Sequence, residues 1–385
     1  MARRVEAQRK TGNDSRKIIS LSIGDVGGPL PRSAVWALRR AAARMGRVGS
    51  FHGYPPDGGE PFLRDALCAS YRARGLIFRP GEFFVSDGAK SDLGNLLSLF
   101  DPALPLALGD PCYPAVRDAA LLAGRALLPL AQNPANGFQP PLPDRPCLIY
   151  LCSPGNPTGT ALTRKTLEAT VDFARQSGSL ILFDAAYRAF LRDPLLPASI
   201  FEIDGARGCA IEVGSFSKAA AFTGLRCGFS LIPEETGIAP YFARRQACRF
   251  NGVAYPVQCA AAAVLAHPKE LYPAIARAQK NADRLRAALE EAGLSVYGGE
   301  NSPYLWTKTP RKMTSMAFFS QLLSQLGLAV TPGSGFGEGG EGFVRFSALG
   351  READVREACA RLRGIAFSRE IGYNKREYRF WRFPF

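Results

Sequence analysis

Histidine is nearly missing from this 385-residue chain, which contains only His52 and His267. Two isolated histidines argue against a histidine-centred catalytic triad and against a multi-histidine metal site. The nine cysteines never fall in C-x-x-C spacing, so neither zinc nor another metal is expected. An odd number of scattered cysteines instead predicts free thiols in a reducing compartment.

Long hydrophobic runs are missing as well. No apolar stretch approaches the ~20 residues that a membrane span needs, and the basic first residues lack the apolar segment of a signal peptide. The chain also has no internal repeat and no low-complexity segment. We therefore expect a soluble, cytoplasmic protein that does not bind a membrane.

Acidic residues are outnumbered, with 34 Asp and Glu against 48 Lys and Arg, for a net charge of +14 at pH 7. Residues 1–20 and 369–385 together supply seven of these charges. The tail 369–385 alternates cations with aromatic residues, which is a composition that can bind nucleic acid. An extension without fixed structure, or one that lies on an apolar surface, is the favoured interpretation, so nucleic acid is not an expected partner.

The sequence does contain a lysine surrounded by groups that can bind phosphate, Gly214-Ser215-Phe216-Ser217-Lys218, with Arg226 eight residues later. The lysine amine can condense with an aldehyde, and the two serine hydroxyls with the guanidinium can hold a phosphate dianion. A solvated loop is the alternative for this string taken alone. However, the apolar run Cys209 to Val213 predicts a buried strand with the lysine at its carboxyl end, where open α/β sheets bind ligands. Together these features indicate pyridoxal phosphate as the cofactor and Lys218 as the catalytic residue.

Two further predicted strands end in polar groups. The run 180–183 ends in Asp184, with Tyr187 three residues later, and the run 148–151 leads into a Pro-Gly loop that contains Asn156. A carboxylate keeps a pyridine nitrogen protonated, which suits Asp184, and hydroxyl and amide donors suit the ring's 3-oxygen. The alternatives are a turn residue for Asn156 and a cap at a strand end for Asp184.

A second phosphate-binding segment is predicted near residue 89. The strand 83–85 is followed by small residues and then by a helical pattern, so the backbone N–H groups of Ala89 and Lys90 lie at a helix N-terminus, which attracts anions. Tyr113 follows another predicted strand, where its ring could stack on the pyridine face, although a core or surface tyrosine is the alternative.

The motifs, taken in order, resemble the fold-type I aminotransferases and, more narrowly, the chlamydial-type LL-diaminopimelate aminotransferases. The resemblance covers about residues 17 to 363. It is carried by these segments: 21–25 (LSIGD), 53–57 (GYPPD), 87–90 (DGAK), 110–114 (DPCYP), 153–159 (SPGNPTG), 184–187 (DAAY), 215–218 (SFSK), 250–252 (FNG), 298–306 (GGENSPYLW) and 343–347 (FVRFS).

The resemblance implies a homodimer with sites shared across its interface, and a ping-pong exchange of an amino group between LL-2,6-diaminopimelate and 2-oxoglutarate. Lys218 would hold the cofactor and move a proton as general base and acid. The implied cofactor-binding residues are Ala89, Lys90, Tyr113, Asn156, Asp184, Tyr187, Ser215, Ser217, Lys218 and Arg226. The implied substrate-binding residues are Gly24, Tyr54, Asp57, Lys90, Tyr113, Asn156, Asn251 and Arg345, with Tyr54, Asp57 and Asn251 reaching the other subunit's site.

Three segments depart from the pattern of that family. The N-terminal segment that brings a pocket tyrosine is expected to be shortened, the segment 233–250 is several residues shorter, and 219–224 lacks the usual proline. Because the same cofactor machinery could serve another amino donor, an aminotransferase for aspartate, alanine or an aromatic amino acid is the alternative function. A cofactor-sensing DNA-binding regulator ranks last, since the short N-terminal arm has no room for a helix-turn-helix domain.

The expected fold is an α/β structure with two domains. A large cofactor-binding domain over 41–269 is predicted to hold a mainly parallel sheet flanked by helices, and the resemblance to fold-type I aminotransferases implies seven strands in that sheet. A smaller α+β domain would combine the arm 1–40 with residues 270–368, followed by the tail 369–385. Helices are predicted over 274–292 and 354–363, and the Gly-rich loop 333–342 before Arg345 is expected to move as the site closes.

Overall fold

A computed structural model describes residue 5, residues 17–249 and 251–365, and residue 367. The tail 369–385 and Phe250 of the 250–252 motif lie outside the described residues. Within the described ranges, no helix is both long enough and apolar enough to cross a membrane.

A seven-stranded sheet forms the centre of the larger unit. Its strands are β2 (Phe83–Ser86), β3 (Leu106–Asp110), β4 (Leu127–Ala131), β5 (Leu148–Cys152), β6 (Leu180–Asp184), β7 (Ala210–Ser215) and β8 (Gly228–Leu231). Their order in the sheet is β2-β8-β7-β6-β5-β3-β4, and β8 runs antiparallel to the six other strands. All but the edge strand β4 are buried at every residue or at every residue but one, because helices cover both faces, as is usual for parallel sheets. The predicted fold class is confirmed.

Helices of this unit begin and end at recognisable residues. For example, α5 begins after Thr163, whose hydroxyl accepts a hydrogen bond from the N–H of Thr166, and ends at Gly178 with φ 71°. The helices are α1 (Arg32–Met45), α2 (Pro61–Arg72), α3 (Ala89–Leu97), α4 (Pro114–Leu122), α5 (Arg164–Ser177), α6 (Ala239–Arg249) and α7 (Tyr255–Ala266).

The smaller unit has its own sheet and its own core. Its elements are β1 (Ile19–Ser20), α8 (Tyr272–Glu291), β9 (Val296–Gly298), β10 (Tyr304–Lys308), α9 (Ser315–Leu326), β11 (Leu328–Ala329), β12 (Thr331–Pro332), β13 (Phe343–Ser347) and α10 (Glu352–Arg363). An antiparallel sheet of order β12-β13-β10-β9 packs with helices α8 and α9, while the short β1 pairs with β11 in parallel. The N-terminal strand β1 thus pairs with a strand of the smaller unit.

One predicted boundary needs correction. Residue 40 lies inside α1, which packs along α7 of the larger unit, so the chain does not change units there. The two predicted helices of the smaller unit each begin two residues earlier than expected, and α8 does so because Pro273 lies in its first turn, where the missing N–H costs nothing.

Candidate active site

The side chain of Lys218 lies just beyond the carboxyl end of β7, as predicted. Its Nζ donates a hydrogen bond to the Gly24 carbonyl oxygen at 2.5 Å. Burial is the main cause that lowers the pKa of this amine to about 8, and the positive charges of Arg345 and Arg226 lower it further, while Asp25 opposes them. About a tenth of the Lys218 amine is therefore unprotonated and nucleophilic at pH 7, far more than for an ordinary lysine.

The residues predicted to bind phosphate lie close together at the start of α3. Arg226 Nη1 donates to the Ser217 hydroxyl at 3.3 Å, and the Ser217 N–H donates to Ser215 Oγ at 3.1 Å. Gly88 precedes the helix with φ 136°, and a Cβ there would lie 2.8 Å from Arg226 Nη2. The free N–H groups at the start of the helix therefore face the same space as the guanidinium and the two hydroxyls.

A glycine on β8 lets this strand pack directly against the start of α3. A Cβ on Gly228 would lie 2.7 Å from the Gly88 Cα and 3.0 Å from the Ala89 nitrogen. Lys90, the second residue of α3, is exposed beside this cradle. A small, strongly electropositive cradle lined by backbone N–H groups fits a phosphate dianion.

Asp184 is buried at the end of β6. The Tyr150 hydroxyl donates to its Oδ2 at 3.0 Å, and the Ala186 N–H donates to its Oδ1 at 3.1 Å. Burial nevertheless raises the pKa of this carboxyl to about 6, against the effect of the two hydrogen bonds. A carboxylate in such a site gains most from a cationic partner, and a protonated pyridine nitrogen is one.

Three tyrosines surround the site. The hydroxyls of Tyr187 and Tyr304 are 3.0 Å apart, and their rings meet edge to face. Burial raises the pKa of both Tyr113 and Tyr187, so both hydroxyls are neutral donors at physiological pH. After burial, the negative charge of Asp184 contributes most to the raised pKa of Tyr113, so the Tyr113 ring lies near that carboxyl.

Arg345 connects the smaller unit to this site. Its Nη1 donates to Asn156 Oδ1 at 2.5 Å, and its Nη2 donates to the Ser22 carbonyl at 2.6 Å. The guanidinium lies 4.3 Å from the ring centre of Tyr304 and 4.9 Å from that of Phe336. Among the described residues, its buried Nε has no hydrogen-bond partner. A buried guanidinium with an unused donor is suited to a carboxylate ligand.

The remaining predicted substrate residues form a separate, exposed group. Tyr54 is 87% exposed, and Asp57 and Asn251 are exposed as well. The two segments meet because Gly252 packs directly against Pro55. None of the contacts described for Lys218, Asp184 and Arg345 involves these three side chains, so the chain presents them outward. Gly24, in contrast, lies inside the site against Lys218 and Tyr304.

Sequence reasoning missed the residues that support the site from behind. Tyr150 could have been noticed in the sequence as a hydroxyl inside an apolar strand. Tyr304 belongs to the motif 298–306, but no role was assigned to it from the sequence. Phe336 and the Ser22 carbonyl had no signal, because an aromatic face and a backbone oxygen become binding groups only once the chain is folded. The Asn156 oxygen proved to be paired with Arg345, which leaves its amide nitrogen as the group that can donate elsewhere.

Comparisons with known proteins agree with this geometry. The model of the family "Aminotransferase class I and II" matches residues 16–362. The chain belongs to this family. It is 42% identical over 386 residues to an LL-diaminopimelate aminotransferase of Agathobacter rectalis, with 95% of both chains covered. A second enzyme of the same name, from Methanosphaera stadtmanae, is 41% identical over 392 residues, again with 95% of both covered.

A solved structure supports the same relationship. The L,L-diaminopimelate aminotransferase of Chlamydomonas reinhardtii superposes with a TM-score of 0.88 at 36% identity, and 94% of each chain is covered. Family membership makes this aminotransferase a pyridoxal-phosphate-dependent transaminase. The electropositive cradle, the buried Asp184 and the weakly basic Lys218 fit that cofactor.

Proposed function

We propose that this aminotransferase exchanges an amino group between LL-2,6-diaminopimelate and 2-oxoglutarate, giving tetrahydrodipicolinate and glutamate. The reaction is reversible and follows a ping-pong mechanism. Its role is in the biosynthesis of lysine and of peptidoglycan precursors. The identity of 42% over 95% of the chain to an enzyme named for this reaction carries the proposal. The contacts in the site support the proposal, because the buried guanidinium of Arg345 lies near Lys218 and can bind the carboxylate of a substrate.

The cofactor-binding roles follow from the contacts. Ser215, Ser217, Arg226 and the N–H groups of Ala89 and Lys90 would hold the phosphate. Asp184 would hold the protonated ring nitrogen. Tyr187 and Asn156 would donate to the 3-oxygen, and Tyr113 would lie over the ring face.

Catalysis depends on the basicity of Lys218. When bound, pyridoxal phosphate supplies an aldehyde that condenses with amines and a ring that accepts electrons. The amine of Lys218 removes the proton from the substrate Cα as general base and later returns one as general acid. A pKa of about 8 suits both roles near neutral pH, whereas an ordinary lysine would stay protonated.

The two ends of the substrate would be recognised by different residues. Arg345 would bind the α-carboxylate with the fork of its guanidinium, and Gly24 would line the pocket without a side chain, since a Cβ there would lie 3.1 Å from Lys218 Nζ. At the distal end, diaminopimelate carries an ammonium that glutamate lacks. Asp57, which is exposed near Tyr54, would reach the active site of the other subunit of the dimer and bind this ammonium there.

A homodimer accounts for the exposed groups. Trp36 on α1 is 61% exposed, and a groove of about 290 Å³ runs between α1, α2 and α7. The groove is lined by Trp36, Ala37, Arg40, Ala41, Arg44, Phe62, Tyr255, Cys259, Ala262 and Ala263. His52 stacks on Tyr255 at 3.5 Å at one end of this groove, which makes the surface continuous with the segment of Tyr54. A second copy on this face would bury the apolar surface and receive Tyr54, Asp57 and Asn251.

We further propose a cytoplasmic enzyme with a large cofactor-binding domain that extends to about residue 269 and a smaller domain that follows it. The nine cysteines, all free in the described structure, suit a reducing compartment.

The test is the absorbance spectrum of the purified enzyme before and after LL-diaminopimelate, repeated with Lys218→Ala. We expect a cofactor band that this donor converts to the amine form and that 2-oxoglutarate restores in the natural enzyme, but not in the variant. A band that responds only to aspartate, alanine or an aromatic donor would retain the cofactor and refute the proposed substrate. The absence of any cofactor band would refute the assigned cofactor site.

A further inference from the structure

A Gly-rich segment of the smaller unit, residues 333–342, is bound to the end of a strand of the large sheet. The Gly339 N–H donates to Asp110 Oδ2 at 3.0 Å, and the Cys112 N–H donates to the Phe336 carbonyl at 2.9 Å. Asp110 is the last residue of β3, and its own carbonyl accepts the Gln132 N–H at 2.9 Å, which ties it to the edge of the sheet. The carboxylate therefore reaches from a rigid element to the loop.

Glycines make this contact close. A Cβ on Gly339 would lie 2.7 Å from the Asp110 carbonyl oxygen, and a Cβ on Gly337 would overlap the Asp110 carboxylate. Gly337 also has φ 127°, a conformation that other residues rarely adopt. The loop backbone thus packs directly on Asp110 with no side chain between them.

Both partners of this contact lead to the active site. Tyr113 lies three residues after Asp110, at the start of α4. On the other side, the Phe336 ring lies 4.9 Å below the guanidinium of Arg345 and meets Trp306 edge to face. The loop that Asp110 binds therefore supplies the aromatic support of the substrate-binding arginine.

We infer that Asp110 is a positioning residue: by holding Gly339 and the loop, it fixes Phe336 beneath Arg345 and sets the position of that guanidinium relative to Tyr113. This inference rests on the proposed role of Arg345 in binding the substrate carboxylate. Asp110 itself acts through the loop and does not touch the substrate. The expectation that the loop moves during closure becomes more specific, because its movement requires a change at this contact.

The experiment measures the inhibition constant of glutarate, an unreactive dicarboxylate, and KM against kcat for 2-oxoglutarate. We expect Asp110→Ala to raise the glutarate constant and the KM together by about tenfold, comparable to the loss of one charge-assisted hydrogen bond. The cofactor absorbance and kcat should change little. Asp110→Asn retains an oxygen that can accept the Gly339 N–H and should restore most of the affinity.

Two further variants keep the result interpretable. Gly339→Ala pushes on the same contact from the loop side and should reproduce the effect if Asp110→Ala fails to fold. Glu338→Ala changes an exposed neighbour in the same loop and should leave both constants unchanged. If Asp110→Ala and Gly339→Ala leave glutarate binding unaltered while Arg345→Ala weakens it, the inference about Asp110 is wrong. If Arg345→Ala itself has no effect, the proposed carboxylate site is wrong instead.

Discussion

The substitution Arg345→Ala provides the most direct test of the active-site geometry. Arg345 is 6% exposed, and its guanidinium donates to Asn156 and to Ser22 and has a third donor, Nε, without a partner among the described residues. Removing one partner of a buried, hydrogen-bonded charge pair costs about 2 to 5 kcal/mol, and each 1.36 kcal/mol is a factor of ten in rate. We therefore expect kcat/KM for 2-oxoglutarate to fall by roughly 30-fold to 5,000-fold.

The assay compares the two half-reactions by stopped-flow absorbance of the cofactor, using the variants Arg345→Ala and Arg345→Lys. Lysine keeps the charge but loses the planar fork, so it should recover only part of the rate. Arg351→Lys is the matched control, because that arginine is exposed and pairs with Asp354 on the surface. Loss of the cofactor band or a change in cofactor affinity would show damage beyond the carboxylate site.

A loss in kcat/KM smaller than about threefold, or about 0.6 kcal/mol, would refute the assignment, because removing one partner of a buried, hydrogen-bonded charge pair costs about 2 to 5 kcal/mol. A fall in kcat alone, with the glutarate inhibition constant unchanged, would also refute it, because Arg345 would then act on the reacting atoms and not on the carboxylate. Thermal unfolding of each variant separates these outcomes from misfolding.

Four further predictions follow from other contacts. The rate of cofactor uptake should rise with pH around a midpoint near 8, the pKa of Lys218, in stopped-flow titrations. Folding raises the pKa of Asp184 from 3.8 to about 6, so the free energy of unfolding falls as pH rises through this range. Asp184→Asn should therefore stabilise the cofactor-free enzyme at pH 8 by up to about 3 kcal/mol, measured by urea unfolding. The same variant should abolish turnover. Glu212→Gln removes the charge of a fully buried carboxylate that pairs with the partly exposed Arg188, and it should destabilise the protein by about 3 to 5 kcal/mol in the same assay. Asp144→Asn, on an exposed pair, is the control that should leave stability unchanged. Trp36→Glu should convert a dimer to monomers in sedimentation, and an unchanged mass would contradict the proposed interface.

The central sheet was predictable from sequence because each strand is a short apolar run that ends abruptly in polar residues. The runs 148–151 and 180–183 match β5 and β6 to within one residue. Since parallel strands deliver their carboxyl ends to one edge, the polar residues that follow them converge. The strand order and the antiparallel direction of β8 are not visible in the sequence, because the inner strands are apolar on both faces and their residues do not indicate which strand lies beside them.

The site was predictable where chemistry requires a particular side chain, and unpredictable where support comes from packing. Lys218, Asp184 and Arg226 follow from what a phosphate, a pyridine nitrogen and an aldehyde need. The pairing of Arg345 with Asn156 joins residues 189 positions apart and depends on how the two units meet. Sequence spacing carries no information about that distance, so the partner of each group emerges only from the folded chain.

Burial acts in opposite directions on the two central groups of the site, and this opposition explains why both can work at one pH. It lowers the pKa of Lys218 to about 8 and raises that of Asp184 to about 6, because low polarity disfavours the ammonium and the carboxylate alike. Near pH 7 the amine is therefore partly free to act as a base, while the carboxylate is ionised but poorly solvated. A cationic ring nitrogen gives that carboxylate the partner it lacks, so the same desolvation that activates the lysine also favours the protonated form of the cofactor.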